Sequence, residues 1–396
     1  MANLRLFYLR SLPVQGNKLY SAPSEIVNLG RVKAPIIGDR KWVRIALIRT
    51  RLRSLRSSIL GSFHAGTNSQ FLTARSIHIP RRSYRCSPMF LIGCFLAWTH
   101  LLFASHETEI RELFNKKFSE NSIEIQTVGV GLTNRNFHVD ANGRNFFVRM
   151  GTSHFPELYI SRELEKHFYT MVQDLNLAPN LLYCDPTHGI LITPFIFNAN
   201  NYGKIAGKWT GAPQEVIARC VQAMKRIHSF RGFPSKEAPY PFRVMDHYYR
   251  VGIKMQAEFP PNLTRAIALA KSLDISFGPK VLCHHDFYWG NLLFDGNKLW
   301  VIDWEYADWD DPLFDLAGFC TEQELDDEEK NIALQEYLPG YQAKDKIKLE
   351  KMCMLYALKT AMWCWIQMKL EPDLRSDIEP IATKHMATFW RLADKL

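Results

Sequence analysis

Two regimes of apolar spacing divide residues 106–396, one with the period-two alternation of strands and one with helical spacing. Ile110, Leu113 and Phe118 in ETEIRELFNKKF are spaced for a helix. The following SIEIQTVGVGLTNRNFHVDANGRNFFVRM reads as strand, Gly-rich turn, strand, tight turn and strand. Alternation is clear in NFHVD and NFFVRM, and DANG supplies the turn chemistry. PELYISRELEKHFYTMVQDLNL predicts an amphipathic helix ending before Pro179, and APNLLYCDPTHGILITPFI predicts two more strands around Asp185-Pro186. From about residue 205 the patterns turn helical, as in PQEVIARCVQAMKRIHSF, LTRAIALAKSLDI and KIKLEKMCMLYALKTAMWCWIQMKL. One stretch interrupts them: HHDFYWGNLLFDGNKLWVIDWE, His284 to Glu305, which reads as a hairpin around Asp295-Gly296. The expected class is α+β, with a small β-rich N-terminal lobe over 106–196 and a larger, mainly helical lobe over 197–396. A cleft between two such lobes is a common home for a ligand.

Residues 1–105 follow neither pattern. They are Arg- and Ser-rich around RIALIRTRLRSLRSSIL, and an apolar run, MFLIGCFLAWTHLLFAS, begins at Met89. That run has 16 residues before Ser105, interrupted by His100, short of the about 18–20 that a spanning helix needs. Three readings stay open for the extension: a targeting or membrane-surface segment, a basic arm, or sequence upstream of a true start at Met89. The run 89–104 reads as an internal signal-like segment or a peripheral anchor, and equally as a helix packed on the N-terminal lobe.

Charge sharpens this division. The formal net charge is +9, yet residues 1–90 hold 16 Lys or Arg against Glu25 and Asp39, a balance of +14. The remainder balances at −5, so the globular part is mildly acidic and no nucleic-acid partner is expected. The 8 cysteines are scattered without a CxxC, and most sit in apolar runs as small hydrophobes. A reducing, cytoplasmic setting is the expectation, with weak membrane association through residues 1–105 left open.

Asp286, Asn291 and Asp303 stand at intervals no packing rule requires. With the turn at Gly296, antiparallel pairing sets Asn291 opposite about Ile302, so Asp303 adjoins Asn291 at the open end of the hairpin. Two oxygen-bearing side chains there suit Mg²⁺, which takes few protein oxygens and fills its shell with phosphates and water. Asp286, in the loop entering the hairpin, is placed to act as a base on a substrate hydroxyl. Singly, each of these residues would serve as a turn cap. The joint pattern carries the chemistry.

This pattern resembles the kinase-like phosphotransferases, most closely the choline/ethanolamine kinase family and its aminoglycoside phosphotransferase relatives, over about 107–390. CHHDFYWGNLLF is similar to the catalytic loop of that family and VIDWEYADWDDPLFDLA to its metal-binding segment. The resemblance implies a protein-kinase-like two-lobe fold, with ATP and Mg²⁺ as cofactors. It gives Asp286 the role of base, His284 that of a brace for the loop, and Asn291 and Asp303 those of metal ligands. Asp315 would hold the catalytic loop. GVGLTNRNFHV resembles the phosphate-covering loop, implying nucleotide contacts from Gly129, Gly131, Thr133 and Asn134. Arg149 stands where protein kinases use Lys, and can clamp phosphates bidentately. Glu165 is its expected partner, with Glu163 as the alternative. Backbone contacts to adenine would come from TPFI, Phe195 and Ile196 included.

Aromatic faces and nearby acids hold ammonium groups. DWEYADWDD places Trp304, Tyr306 and Trp309 beside Glu305, Asp308, Asp310 and Asp311. MWCWIQ adds Trp363 and Trp365, which lie about 200° apart around a helix, and Trp363 is the better match to the Trp-bearing helix of choline kinases. Family members often carry a second Trp where Thr360 stands here. Glu305, Tyr306 and Trp363 are therefore the expected acceptor contacts, Glu305 also being a candidate second-metal group. The expected function is a small-molecule O-kinase acting on an amino alcohol, choline or ethanolamine foremost. Alternatives are an aminoglycoside, thiamine or other small-molecule phosphotransferase, whose polycationic substrate would suit Asp308, Asp310 and Asp311, and a non-catalytic kinase-like binding module.

Overall fold

The computed structural model describes residues 106–396 apart from 153 and 234–236. The basic extension and the apolar run 89–104 lie outside the described residues. Residues 106–118 are helical (α1), with Ile110 and Phe114, one turn apart, fully buried. They cover an antiparallel five-stranded sheet of β1 (Ile123–Val130), β2 (Asn134–Ala141), β3 (Arg144–Gly151), β4 (Tyr183–Asp185) and β5 (Ile190–Pro194), in the order β1-β2-β3-β5-β4. Alternation turns Phe137, Val139 and Ala141 of β2 inward, where they join Val148 and Met150 of β3 in a core of their own. At roughly 1.5–3 kcal/mol per buried large apolar side chain, such a core holds the sheet and α1 together.

The helix α2 (Arg162–Val172) starts later than its apolar pattern predicts. The Ser161 hydroxyl caps it, accepting from the Leu164 N–H at 3.3 Å, and Tyr159 before it is left-handed at φ 63°. The expected helical content of 156–161 is therefore replaced by a turn, closed by the Ile160 N–H donating to the Phe155 carbonyl at 2.9 Å. The inner face of α2, Phe168, Tyr169 and Val172, belongs to the second and larger core.

That core is built by α3 (Pro213–Ile227), α4 (Tyr240–Met255), α5 (Leu263–Ser272), α6 (Pro312–Glu322), α7 (Asp327–Tyr337), α8 (Ala343–Leu370) and α9 (Arg375–Ala393). The 28 residues of α8, about 42 Å of helix, are buried on most sides from Leu349 to Met368, as expected for a helix apolar all round. Among the described residues no helix is long and apolar enough to cross a membrane.

Short strands interrupt the helices more often than predicted. Besides β6 (Asn200–Asn201), β7 (Lys204–Ile205) and β8 (Lys208–Trp209), there are β9 (Val281–Cys283), β10 (Leu292–Phe294), β11 (Leu299–Val301) and β12 (Asp308–Asp310). The hairpin β10–β11 has the predicted register, Leu292 opposite Val301, and the Ile302 N–H donates to the Asn291 carbonyl at 3.0 Å. Its turn works because Gly296 takes φ 96° while the Asp295 carboxylate accepts from the Asn297 and Lys298 amides. Pairing of β9 with β12, Asp308 opposite Cys283, brings the segment after the hairpin back beside the strand that leads into His284.

Candidate active site

The segment 284–286 that leads toward the hairpin is held by one carboxylate. Asp315, near the start of α6, accepts the backbone N–H of both His284 and His285 at 2.7 Å. Burial opposes its charge, but the hydrogen bond and charge of His228 hold its carboxyl at about 2. His284 is fully buried, and burial depresses its pKa to about 4, so the ring is neutral. Its Nε2–H donates to the Ile302 carbonyl at 3.0 Å and its Nδ1 accepts from the Asp286 N–H at 3.3 Å. One ring thus ties the loop to the end of the hairpin. The nearby set His228, Cys283 and Asp315 has metal-ligand composition, but both ring nitrogens of His228 are occupied, by Tyr337 and Asp315.

Above this brace the three residues of the motif meet. The Asn291 amide donates to the Asp286 carboxylate at 2.8 Å and to the Asp286 carbonyl at 3.0 Å, which leaves its amide oxygen as the ligand-capable atom. Asp303 adopts φ 64°, an uncommon backbone for a non-glycine residue. Its Oδ1 is buried without a hydrogen-bond partner, 3.7 Å from Arg149. Burial, then the charge of Glu305, push the Asp303 carboxyl well up, with Arg149 opposing. An unsatisfied buried carboxylate oxygen beside an amide oxygen fits a hard divalent cation, which would restore the charged form. Burial likewise raises Asp286 to about 7, against the pull of Lys359.

Arg149 pairs with Glu165 through both guanidinium nitrogens, the Nη2–Oε2 distance being 2.7 Å. Although burial disfavours both charges, Glu165 stays below the usual carboxylate range beside Arg149. Glu163 is exposed and takes no part.

Sequence reasoning missed Arg162. It is 3% exposed, and its Nη1 donates at 2.9 Å to both Glu165 and Glu305 while Nη2 donates to the Asn134 side chain at 2.8 Å. The available signal was its place one turn before Glu165 on the same helix face. Glu305 also accepts from Thr133 at 3.0 Å and from Asn134 at 2.9 Å.

This corrects several expectations. The Glu305 carboxylate is occupied by Arg162, Thr133 and Asn134, so Thr133 and Asn134 anchor the β1–β2 turn on Glu305, and all three of Thr133, Asn134 and Glu305 line the cavity. Gly131 keeps the turn tight: a Cβ there would lie 3.0 Å from the Asn134 carbonyl. Gly129 lies in β1, beside a register shift. Phe195 offers no amide to adenine, because its N–H donates to the Asn145 carbonyl at 3.0 Å. Asp308, Asp310 and Asp311 do not line the cavity: Asp308 pairs with Arg243, buried Asp310 faces His285, and Asp311 caps α6 and pairs with Lys348.

A single cavity of about 590 Å³ joins these parts. Its lining includes Phe147, Arg149, Thr193 and Ile196 of the N-terminal lobe, the three motif residues Asp286, Asn291 and Asp303, and Tyr248, Tyr306, Glu322, Lys359 and Trp363 of the helical lobe. The Trp363 Nε1–H donates to the Tyr306 hydroxyl at 2.8 Å, fixing the two rings as one wall. Trp365 packs away from them in the core, against Phe259, as does fully buried Trp304 against His284. Trp309 packs on Phe168.

Protein LicA of Haemophilus influenzae is 23% identical over 294 residues, 70% of this chain and 82% of LicA. Choline kinase LicA from Streptococcus pneumoniae has the same fold, with a TM-score of 0.60 at 20% identity, over 72% of this chain and 99% of that one. A choline/ethanolamine kinase family protein from Mesorhizobium loti gives 0.55 at 20% identity, over 72% and 97%. The two-lobe kinase-like arrangement is thus shared along nearly the whole length of both solved proteins. Residues 124–347, which run from β1 into α8 and include the catalytic loop, the hairpin and the Arg149–Glu165 pair, match one family throughout, and the chain belongs to the phosphotransferase enzyme family.

Proposed function

We propose that this protein is an ATP- and Mg²⁺-dependent O-kinase that phosphorylates an amino alcohol, choline or ethanolamine foremost. The observation that carries the reading is the meeting of Asp286, Asn291 and Asp303 in one cavity, beside the buried Arg149–Glu165 pair. Asp303 and the Asn291 amide oxygen would hold the cation, whose chemistry is to screen phosphate charge. Arg149 binds donor phosphates from the sheet side, and Asp286 accepts the proton of the acceptor hydroxyl. Transfer is direct, since among the described residues no Ser or Cys lines the cavity to serve as a nucleophile. The acceptor is read from the Tyr306–Trp363 wall with Glu322 near it, which suits a compact cation better than a polycation, and from the choline kinase among the related structures.

The test is ATP consumption and product identification with a panel of choline, ethanolamine, thiamine and aminoglycosides. Turnover of neither choline nor ethanolamine would reject the amino-alcohol reading. Within the panel, Trp363→Ala is expected to raise the acceptor KM about tenfold or more at near-constant stability. Trp365→Ala should instead cost about 3–5 kcal/mol in denaturant unfolding, as a large core truncation does.

The pH dependence follows from Asp286. Its pKa is raised, so the basic form is present only above that pKa, and a bound cation pulls the value down from about 7. At saturating MgATP, kcat/KM for the acceptor is therefore expected to fall along an acid limb with its midpoint at or below about pH 7. A profile flat down to pH 4 would remove Asp286 from the role of base.

A further inference from the structure

The cavity contains a cation that the reading above does not use. Lys359, on α8, is only 8% exposed, and its Nζ sits 4.2 Å from the ring centre of Tyr356, one turn back on the same helix. It lines the cavity together with Asp286, Glu322 and Trp363. The other Lys and Arg side chains lining that cavity are matched: Arg149 with Glu165, Lys204 with Glu329 and Lys384 with Glu324. Lys359 has no carboxylate oxygen within 4.0 Å among the described residues. Burial lowers its pKa, and the charges that oppose this come first from Asp286 and then from Glu322.

A buried ammonium held only by an aromatic face and distant carboxylates is costly, and an anion entering the cavity would offset that cost. An amino-alcohol acceptor brings no anion. Phosphate does, and Asp286 marks the place where the acceptor hydroxyl and the terminal phosphate meet. We propose that Lys359 is a catalytic residue that binds the phosphoryl group from the acceptor side as it passes from ATP to the acceptor oxygen. The acceptor oxygen forms the new bond to phosphorus and the bond to the bridging oxygen of ADP breaks. ADP leaves with that electron pair, and the hydroxyl proton passes to Asp286. Charge spread over the equatorial oxygens then lies between Arg149 on one side and Lys359 on the other. The inference rests on Asp286 being the base of the proposed kinase.

Lys359→Met and Lys359→Arg test it, with circular dichroism melts to establish folding. With choline or ethanolamine as acceptor, Lys359→Met should lose about 10²–10³-fold in kcat, with KM for ATP and for the acceptor changed less than about threefold, and Lys359→Arg should recover part of the loss. In calorimetric titrations in the presence of MgADP, inorganic phosphate and phosphocholine should bind Lys359→Met at least about tenfold more weakly than wild type. Choline itself should bind no more weakly. A change confined to the acceptor KM, unchanged kcat, phosphate binding that survives the substitution, or a loss of activity that tracks a loss of melting temperature in both variants would each overturn the proposal. Should wild type phosphorylate neither amino alcohol, the proposed function fails, while phosphate binding in the presence of MgADP still decides the role of Lys359.

Discussion

Asp286→Ala is expected to lower kcat by about 10²–10⁴-fold, the range lost when a positioned general base is removed, while ATP affinity in calorimetry stays within a few-fold of wild type. The separation follows from position. Asp286 lies in the loop before β10 while Arg149, the proposed donor contact, is on β3 and is held by Glu165, so removing the Asp286 carboxylate leaves that contact intact. Asn291 loses a partner, because its amide donates to the Asp286 side chain, but the second bond, to the Asp286 backbone carbonyl, remains. Asp286→Asn controls for shape. It keeps the volume and removes the basic oxygen, and it should be as inactive as the Ala variant. Activity within tenfold of wild type in either variant would take the base assignment away from this residue.

Arg162→Leu is expected to cost as much stability as the Trp365 core truncation. The guanidinium is shared by Glu165, Glu305 and Asn134, all of them buried. Its removal leaves two buried carboxylates with one fewer cation between them, and breaking a buried ion network from one side costs about 3–5 kcal/mol. Glu165 retains Arg149, and the greater loss falls on Glu305, whose other donors are the neutral Thr133 and Asn134. Denaturant unfolding should register that cost, and the KM for ATP should rise as the β1–β2 turn loosens. A variant as stable as wild type would mean that water replaces the guanidinium without penalty. Lysine at this position should rescue only in part, since one ammonium cannot reach three partners in the plane of a guanidinium.

Legibility in the sequence followed the range of the interaction. The β10–β11 hairpin could be placed to the residue because its register depends on a local turn, and Asp295-Gly296 specifies that turn. The sheet was legible because β2 and β3 alternate and share a tight turn at Asn142-Gly143. The helix start at Arg162 was not, because the apolar spacing continues through Leu158 and Ile160 while Ser161 ends the helix by capping it. Glu305 misled for a different reason. It lies among acids and aromatics in the chain, and only the fold shows that Arg162 and Asn134, 143 and 171 residues away, occupy its oxygens. Lys359 was hidden by its surroundings, one charge in a long apolar run, where a charged side chain reads as a solvated edge until α8 is seen to be buried on most sides.

The commitment of Glu305 has a further effect. Two residues before it is Asp303, and bonded to it through Thr133 and Asn134 is the β1–β2 turn, which lines the same cavity. A shift of the Asp303 backbone from its left-handed conformation is therefore expected to be felt at that turn, and a shift of the turn at Asp303. If donor phosphates and a cation bind as proposed above, any coupling between them through this link is reciprocal, and each changes the affinity of the other by the same factor.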